Sequence, residues 1–206
     1  PTQLGLEQAF DRCVEHGLAL AEEAHATGSV LWFDMEDSTL VDPTLELYEA
    51  VKTRWPATGL ALQAYLHRTP SDLERLLPLD PVLRLVKGAY AEPREVAHAA
   101  KADTDAAFEA LALRCLEAFG RSPVPQAEAG DAGVAAPASH PRLILGTHDL
   151  GLIRRIEAGP GDGRGSRGGA DQRSGTGTGT PRQTFEVHML YGIRPREQAS
   201  LVAQGY

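Results

Sequence analysis

Asparagine is missing altogether from the 206 residues, so the chain carries no N-glycosylation acceptor. Cysteine is scarce. Cys13 and Cys115 are its two thiols, which suits a reducing compartment and two half-buried small side chains rather than a disulfide framework. No apolar run approaches the ~20 residues of a membrane span, and the opening residues do not read as a signal peptide. Basic residues are scattered, and a net charge of -8 argues against a nucleic-acid backbone as partner. A Gly-rich first turn of a dinucleotide fold is also lacking, which weighs against a doubly wound sheet.

What is present, at 42% hydrophobic, is enough apolar material for one core of ordinary size. Leu6, Phe10, Cys13, Val14, Gly17, Leu18 and Ala21 recur at helical spacing, which predicts one amphipathic helix over 4–27, stopped by Gly28. An apolar run of strand length follows at 30–35. Asp42-Pro43 opens a second helix that ends before Pro56. Residues 59–66 read as a second buried strand, Ser71 as the cap of a short helix through Leu77, and 82–87 as a third strand. A long helix is expected over 94–119, strands over 143–148 and 184–190, and helices over 150–157 and 195–204. Apolar strands alternating with helices imply a parallel sheet covered on both sides. The fold class is α/β, an incomplete (β/α)8 TIM-type barrel of about five β/α units in a single domain over 1–206, since a full barrel needs about 250 residues. Residues 121–141 and 159–183 read as flexible Pro/Ala/Gly-rich and Gly-rich insertions. The dinucleotide-like run Gly163-Arg164-Gly165-Ser166-Arg167-Gly168 in the second has no strand before it and no helix after it, and is treated as an accident of composition.

Leu83-Arg84-Leu85-Val86-Lys87-Gly88-Ala89-Tyr90 stands out because a strand interior rarely accepts an arginine unless something anionic or electron-rich meets it. Alternation puts Arg84, Val86, Gly88 and Tyr90 on one face, and Gly88 leaves room for a flat ligand near the backbone. Every expected strand ends in polar groups its body does not need: Asp34, Glu36 and Asp37; Gln63 and Tyr65; Arg84 and Lys87; Thr147, His148 and Asp149; Glu186 and His188. In a barrel these ends converge on one mouth. Two chemistries suit the set. One is a metal-dependent hydrolase using Lys87, His148 and His188, although the His-x-His pair of such barrels is lacking. The other is a flavin or other planar anionic cofactor, which alone gives Arg84 a task.

Phe33-Asp34-Met35-Glu36-Asp37-Ser38, Leu62-Gln63-Ala64-Tyr65-Leu66 with Arg68-Thr69, Arg84 to Tyr90 with Glu92-Pro93, Thr147-His148-Asp149 and Met189-Leu190-Tyr191-Gly192 together resemble proline dehydrogenase. The likeness runs in order through the whole chain except the two insertions. It implies a distorted (β/α)8 barrel that binds FAD without a covalent link, oxidises L-proline to Δ1-pyrroline-5-carboxylate and passes the electrons to a quinone at a membrane surface. It implies a cytoplasmic protein, or one peripheral on the inner membrane face. By the same resemblance, Arg84 would lie near the flavin atom that receives the hydride and stabilise the reduced ring, and Asp34 would hold the active-site cations. Met35, Gln63, Lys87, Gly88, Ala89, Thr147 and His148 would line the FAD. Tyr90 and Leu190 would pack against the proline ring. No metal is implied.

Some positions depart from the pattern. Val187-His188 stands where the family usually shows Phe-Gln. The family's lysine and paired arginines for the proline carboxylate fall before Pro1 and after Tyr206, so the chain reads as a fragment, and a catalytically inactive one is an alternative expectation.

Overall fold

Five strands pair in the order of the sequence, all parallel: β1 (Leu31–Phe33), β2 (Thr58–Gln63), β3 (Val82–Val86), β4 (Arg142–Gly146) and β5 (Glu186–His188). The computed structural model describes residues 1–120, 142–159 and 184–206. Its helices are α1 (Phe10–Ala26), α2 (Val41–Arg54), α3 (Thr69–Leu76), α4 (Lys101–Ala118), α5 (Leu150–Ala158) and α6 (Pro195–Ala203). Parallel neighbours require a crossover, and each one here carries a helix. Sequential parallel strands with a helix after each are the repeating unit of a (β/α)8 barrel, and the five form an arc of one.

Register sorts the strand residues onto two faces. Phe33, Leu60, Leu62, Leu83, Leu85, Leu143 and Leu145 share the outer face, each no more than 3% exposed, and the helices cover them. Each such side chain contributes about 1.5–3 kcal/mol by leaving water. The inner face carries Trp32, then Gly59, Ala61 and Gln63, then Val82, Arg84 and Val86, then Arg142, Ile144 and Gly146, and last Glu186 and His188. Four steps of ~4.8 Å would hold β1 and β5 some ~19 Å apart in a flat sheet. The Trp32 and His188 ring centroids are 6.1 Å apart, so the sheet curls tightly round its inner face.

Several boundaries differ from the sequence expectations. The first helix starts at Phe10 rather than residue 4, because Thr2–Leu4 form a 3-10 turn that Gly5 ends at φ +91°. Leu6 is buried all the same, outside the helix whose spacing it shares. The fourth helix starts at Lys101 rather than 94. Pairing to the strand-end loop claims the intervening residues: Leu66 and Ala97 form an antiparallel bridge, His67 N–H donates to Val96 O at 2.9 Å and His98 N–H to Tyr65 O at 2.8 Å. Ser71 lies inside α3 rather than capping it, and Thr69 Oγ1 donates to Gln63 O at 2.6 Å. The first and fifth strands are three residues each, shorter than expected. Cys13 and Cys115 are free and fully rather than half buried. The expected insertions at 121–141 and 159–183, with the dinucleotide-like run, lie outside the described residues except for Gly159. Among the described residues no helix is long and apolar enough to cross a membrane.

Candidate functional site

The carboxyl ends of β1 to β4 surround a cleft of about 750 Å³. Asp34, Met35, Gln63, Lys87, Gly88, Ala89, Tyr90, Thr147 and His148 line it, all expected from the sequence. Ala61, Val86, Lys101, Gly146, Asp149 and Arg194 complete the lining. Most of these additions carry no signal in the sequence. Lys101 begins α4 and Arg194 is the N-cap of α6, neither of them at a strand end, though Asp149 follows the Thr147-His148 pair directly.

Arg84, expected at the cofactor, is not among the residues that line the cleft; it stands in register with Ala61, which does, and with Ile144. Its guanidinium pairs with Asp34 and stacks over the Trp32 ring at 4.7 Å from the centroid. The arginine side chain is 21% exposed and that of Asp34 is 70% exposed, so the cation is half sheltered while its anion faces outward. A guanidinium over an indole gains a cation–π attraction and is more weakly hydrated than an ammonium, so this place suits arginine better than lysine. The alternation that sets Arg84 inward ends at Val86. Gly88 adopts φ +117°, which L side chains rarely adopt, and a Cβ there would run into the Tyr65 ring. A Cβ at Gly146 would come within 2.8 Å of Val86 Cγ1. At both positions the protein's own packing leaves no room for a side chain.

Two buried polar atoms of the lining have no partner among the described residues, Gln63 Oε1 and His148 Nδ1. Gln63 donates from Nε2 to Glu36 O at 3.2 Å, which fixes its amide and leaves Oε1 an unused acceptor. His148 Nε2 lies 3.3 Å from the Leu190 N–H and accepts from it, which places the ring hydrogen on Nδ1 as an unused donor. Buried groups left unpaired cost free energy, so an acceptor and a donor on the lining of one cleft point to a ligand that supplies both.

At the rim, Lys87 Nζ reaches Asp105 Oδ1 at 2.5 Å and Asp149 Oδ2 at 3.2 Å. Lys101 pairs with the same two carboxylates. Burial pushes the Asp149 carboxyl up, but the Leu152 backbone N–H and then Lys87 and Lys101 outweigh it and bring its pKa down to about 2. Hydrogen bonds from Lys101 and then Lys87 hold Asp105 below the usual carboxylate range. The loops after β1 and β3 are clamped together: Glu92 accepts from Ser38 N–H at 2.7 Å and Ser38 Oγ at 2.6 Å. Asp37 serves a turn, accepting from Thr39 N–H at 3.0 Å.

Tyr90 stands at the cleft edge, 45% exposed. Leu190 is 68% exposed, does not line the cleft, and touches the site through its backbone bond to His148. Lys87, His148 and His188 do not form a metal centre: among the described residues no group of three or more His, Cys, Asp or Glu is arranged to hold an ion.

A parallel β/α arc with a cleft at the carboxyl ends of its strands defines a protein of the (β/α)-barrel class. The chain belongs to the proline dehydrogenase family, whose pattern it matches over residues 16–156. It is 30% identical over its full length to proline dehydrogenase 1 of Bacillus subtilis strain 168, covering 56% of that protein. It is 31% identical to proline dehydrogenase of Deinococcus radiodurans, with 97% of this chain and 54% of that one aligned. The chain thus spans little more than half the length of these relatives. Among solved structures it resembles proline utilization A from Bdellovibrio bacteriovorus inactivated by N-propargylglycine, with TM-score 0.70 and 19% identity over 98% of this chain and 20% of that one. That likeness shows the fold, an arc of the same barrel.

Proposed function

We propose that the chain carries the flavin-binding part of an enzyme that oxidises L-proline to Δ1-pyrroline-5-carboxylate, with FAD as the hydride acceptor and a quinone at a membrane surface as the onward acceptor. Family membership supports the reaction class. The observation that supports the assignment to these residues is the partly sheltered Arg84 guanidinium, held on Trp32 and paired with Asp34 of the cleft lining.

The residues present fit FAD. Gln63 Oε1 and His148 Nδ1–H offer the acceptor and donor that a cofactor with both kinds of edge would use. Met35 and Ala89 supply apolar lining. Lys87, Thr147 and His148 would face phosphate and ribose, with Lys87 exchanging part of its pairing to Asp105 and Asp149 for phosphate oxygens. FAD, when bound, supplies the two-electron acceptor. The chain's own part is electrostatic and steric. Arg84 would offer the cofactor a fixed positive charge, Asp34 would keep that charge in place, and Tyr90 at the rim would help exclude water. The protein would work in the cytoplasm or against the inner face of a membrane.

The visible spectrum tests the proposal. Protein reconstituted with FAD shows a bound-flavin band, and Arg84→Ala weakens it. Protein that takes up no FAD contradicts the proposal.

A further inference from the structure

His188 ends β5 on the inner face, in register with Gly146. Its ring meets Trp32 edge-on at 6.1 Å, and Trp32 carries the Arg84 guanidinium at 4.7 Å. On its other side, His188 Nε2 is 3.9 Å from Glu186 Oε2. Arg142 Nε and Nη2 both donate to Glu186 Oε1, at 2.8 and 2.5 Å, so Oε2 keeps its lone pairs for the imidazole. His188 therefore stands between the ring that supports Arg84 and a carboxylate oxygen with room for one more hydrogen bond. The charged groups that bear on it are Glu186 on its own strand, Arg142 on β4, and Arg84 on β3, the last paired with Asp34 after β1. The side chain is 42% exposed, so a proton from solvent can reach it. Burial disfavours its charged form. Glu186 opposes that, Arg84 and Arg142 add to it, and the net pKa lies below the ordinary imidazole value.

We propose that His188 is a proton-operated positioning residue for Arg84: neutral, it packs on Trp32 and leaves the Asp34–Arg84 pair undisturbed; protonated, it engages Glu186 Oε2 and adds a positive charge beside Arg84. The inner face thus carries a titrating group that gains a charge as pH falls below the ordinary imidazole value. The inner face then attracts an electron-rich ligand more strongly at low pH. That consequence for flavin rests on the function proposed above; the coupling of His188 to Trp32 does not.

The test uses unliganded protein carrying Trp55→Phe, which leaves Trp32 as the one indole of the two. Emission is followed between about pH 4.5 and 8. A single inflection with its midpoint below about 6.5 is expected. His188→Gln abolishes it, and Glu186→Gln moves it to lower pH. The His188 ring-proton resonance of the otherwise unaltered chain titrates with the same midpoint, a readout that does not depend on any variant at 188 folding. An inflection that survives His188→Gln, no inflection in the parent, or a midpoint that Glu186→Gln leaves in place would overturn the proposal. In a parallel FAD titration, affinity rises as pH falls through that midpoint in the parent and is flat in His188→Gln. Failure to bind FAD at any pH overturns the proposed function, while the Trp32 midpoint still decides the part played by His188.

Discussion

The two faces of one five-stranded sheet have opposite compositions. Thr58 apart, the outer face is apolar, leucine with one phenylalanine and one valine, and mostly withdrawn from water. The inner face mixes Trp32, Gln63, Arg84, Arg142, Glu186 and His188 with small residues, and its charges meet one another across strands: Arg142 with Glu186 on adjacent strands, Arg84 with Asp34 two strands away. A side chain on the outer face holds its place through shape and area alone. One on the inner face does so through a named partner. Stability should therefore concentrate on one side of the backbone and binding on the other, though the two sets alternate residue by residue along β3.

The largest expected effect lies outside. Leu85→Ala removes a side chain that is 2% exposed and should cost about 2–5 kcal/mol of unfolding free energy, read by denaturant titration. The molecules that remain folded should bind FAD with unchanged affinity. A large loss of affinity in folded protein would break the division of labour between the faces. Next comes Gln63→Leu on the inner face. It keeps the volume but removes both the unpaired Oε1 and the Nε2 bond to Glu36 O, so stability should fall by about 1 kcal/mol while FAD affinity falls about tenfold, the worth of one hydrogen bond.

The smallest effect belongs to the rim. Asp149 caps α5, accepting from Leu152 N–H at 3.1 Å, and Asp149→Ala should cost about 1 kcal/mol near neutrality. Its folded pKa of about 2 lies below the ordinary carboxylate value near 3.9. The stability it contributes is thus complete above about pH 4 and is lost as pH falls toward 2. The stability curves of the variant and its parent should converge across that window. A gap that persists at pH 2 would show a packing defect instead of a lost charge.

Much of this was legible in the sequence, and the two faces show why. The outer face announces itself as runs of apolar residues, so strands and helices fall close to their expected places. The Arg84 to Tyr90 segment stood out because a charge in an apolar run violates the pattern its neighbours keep. Nine cleft residues follow from strand-end positions and family likeness. What the sequence hides is register. Trp32 reads as one more apolar strand residue, and nothing local shows that it lies under Arg84 from two strands away or meets His188 across the curl. Helix starts at 94 and at Ser71 failed for a related reason: contacts between segments distant in the chain, at Ala97 and at Gln63 O, override local propensity. Leu190 was expected against the substrate on family likeness and stands exposed, outside the cleft.

FAD affinity measured side by side in the parent, Arg84→Ala and Leu85→Ala tests the central claim most directly. If the inner-face arginine is what the ring is held by, Arg84→Ala weakens binding by about a hundredfold or more, some ~2.7 kcal/mol, while folded Leu85→Ala binds as the parent does. Equal FAD affinity in Arg84→Ala and the parent would contradict it.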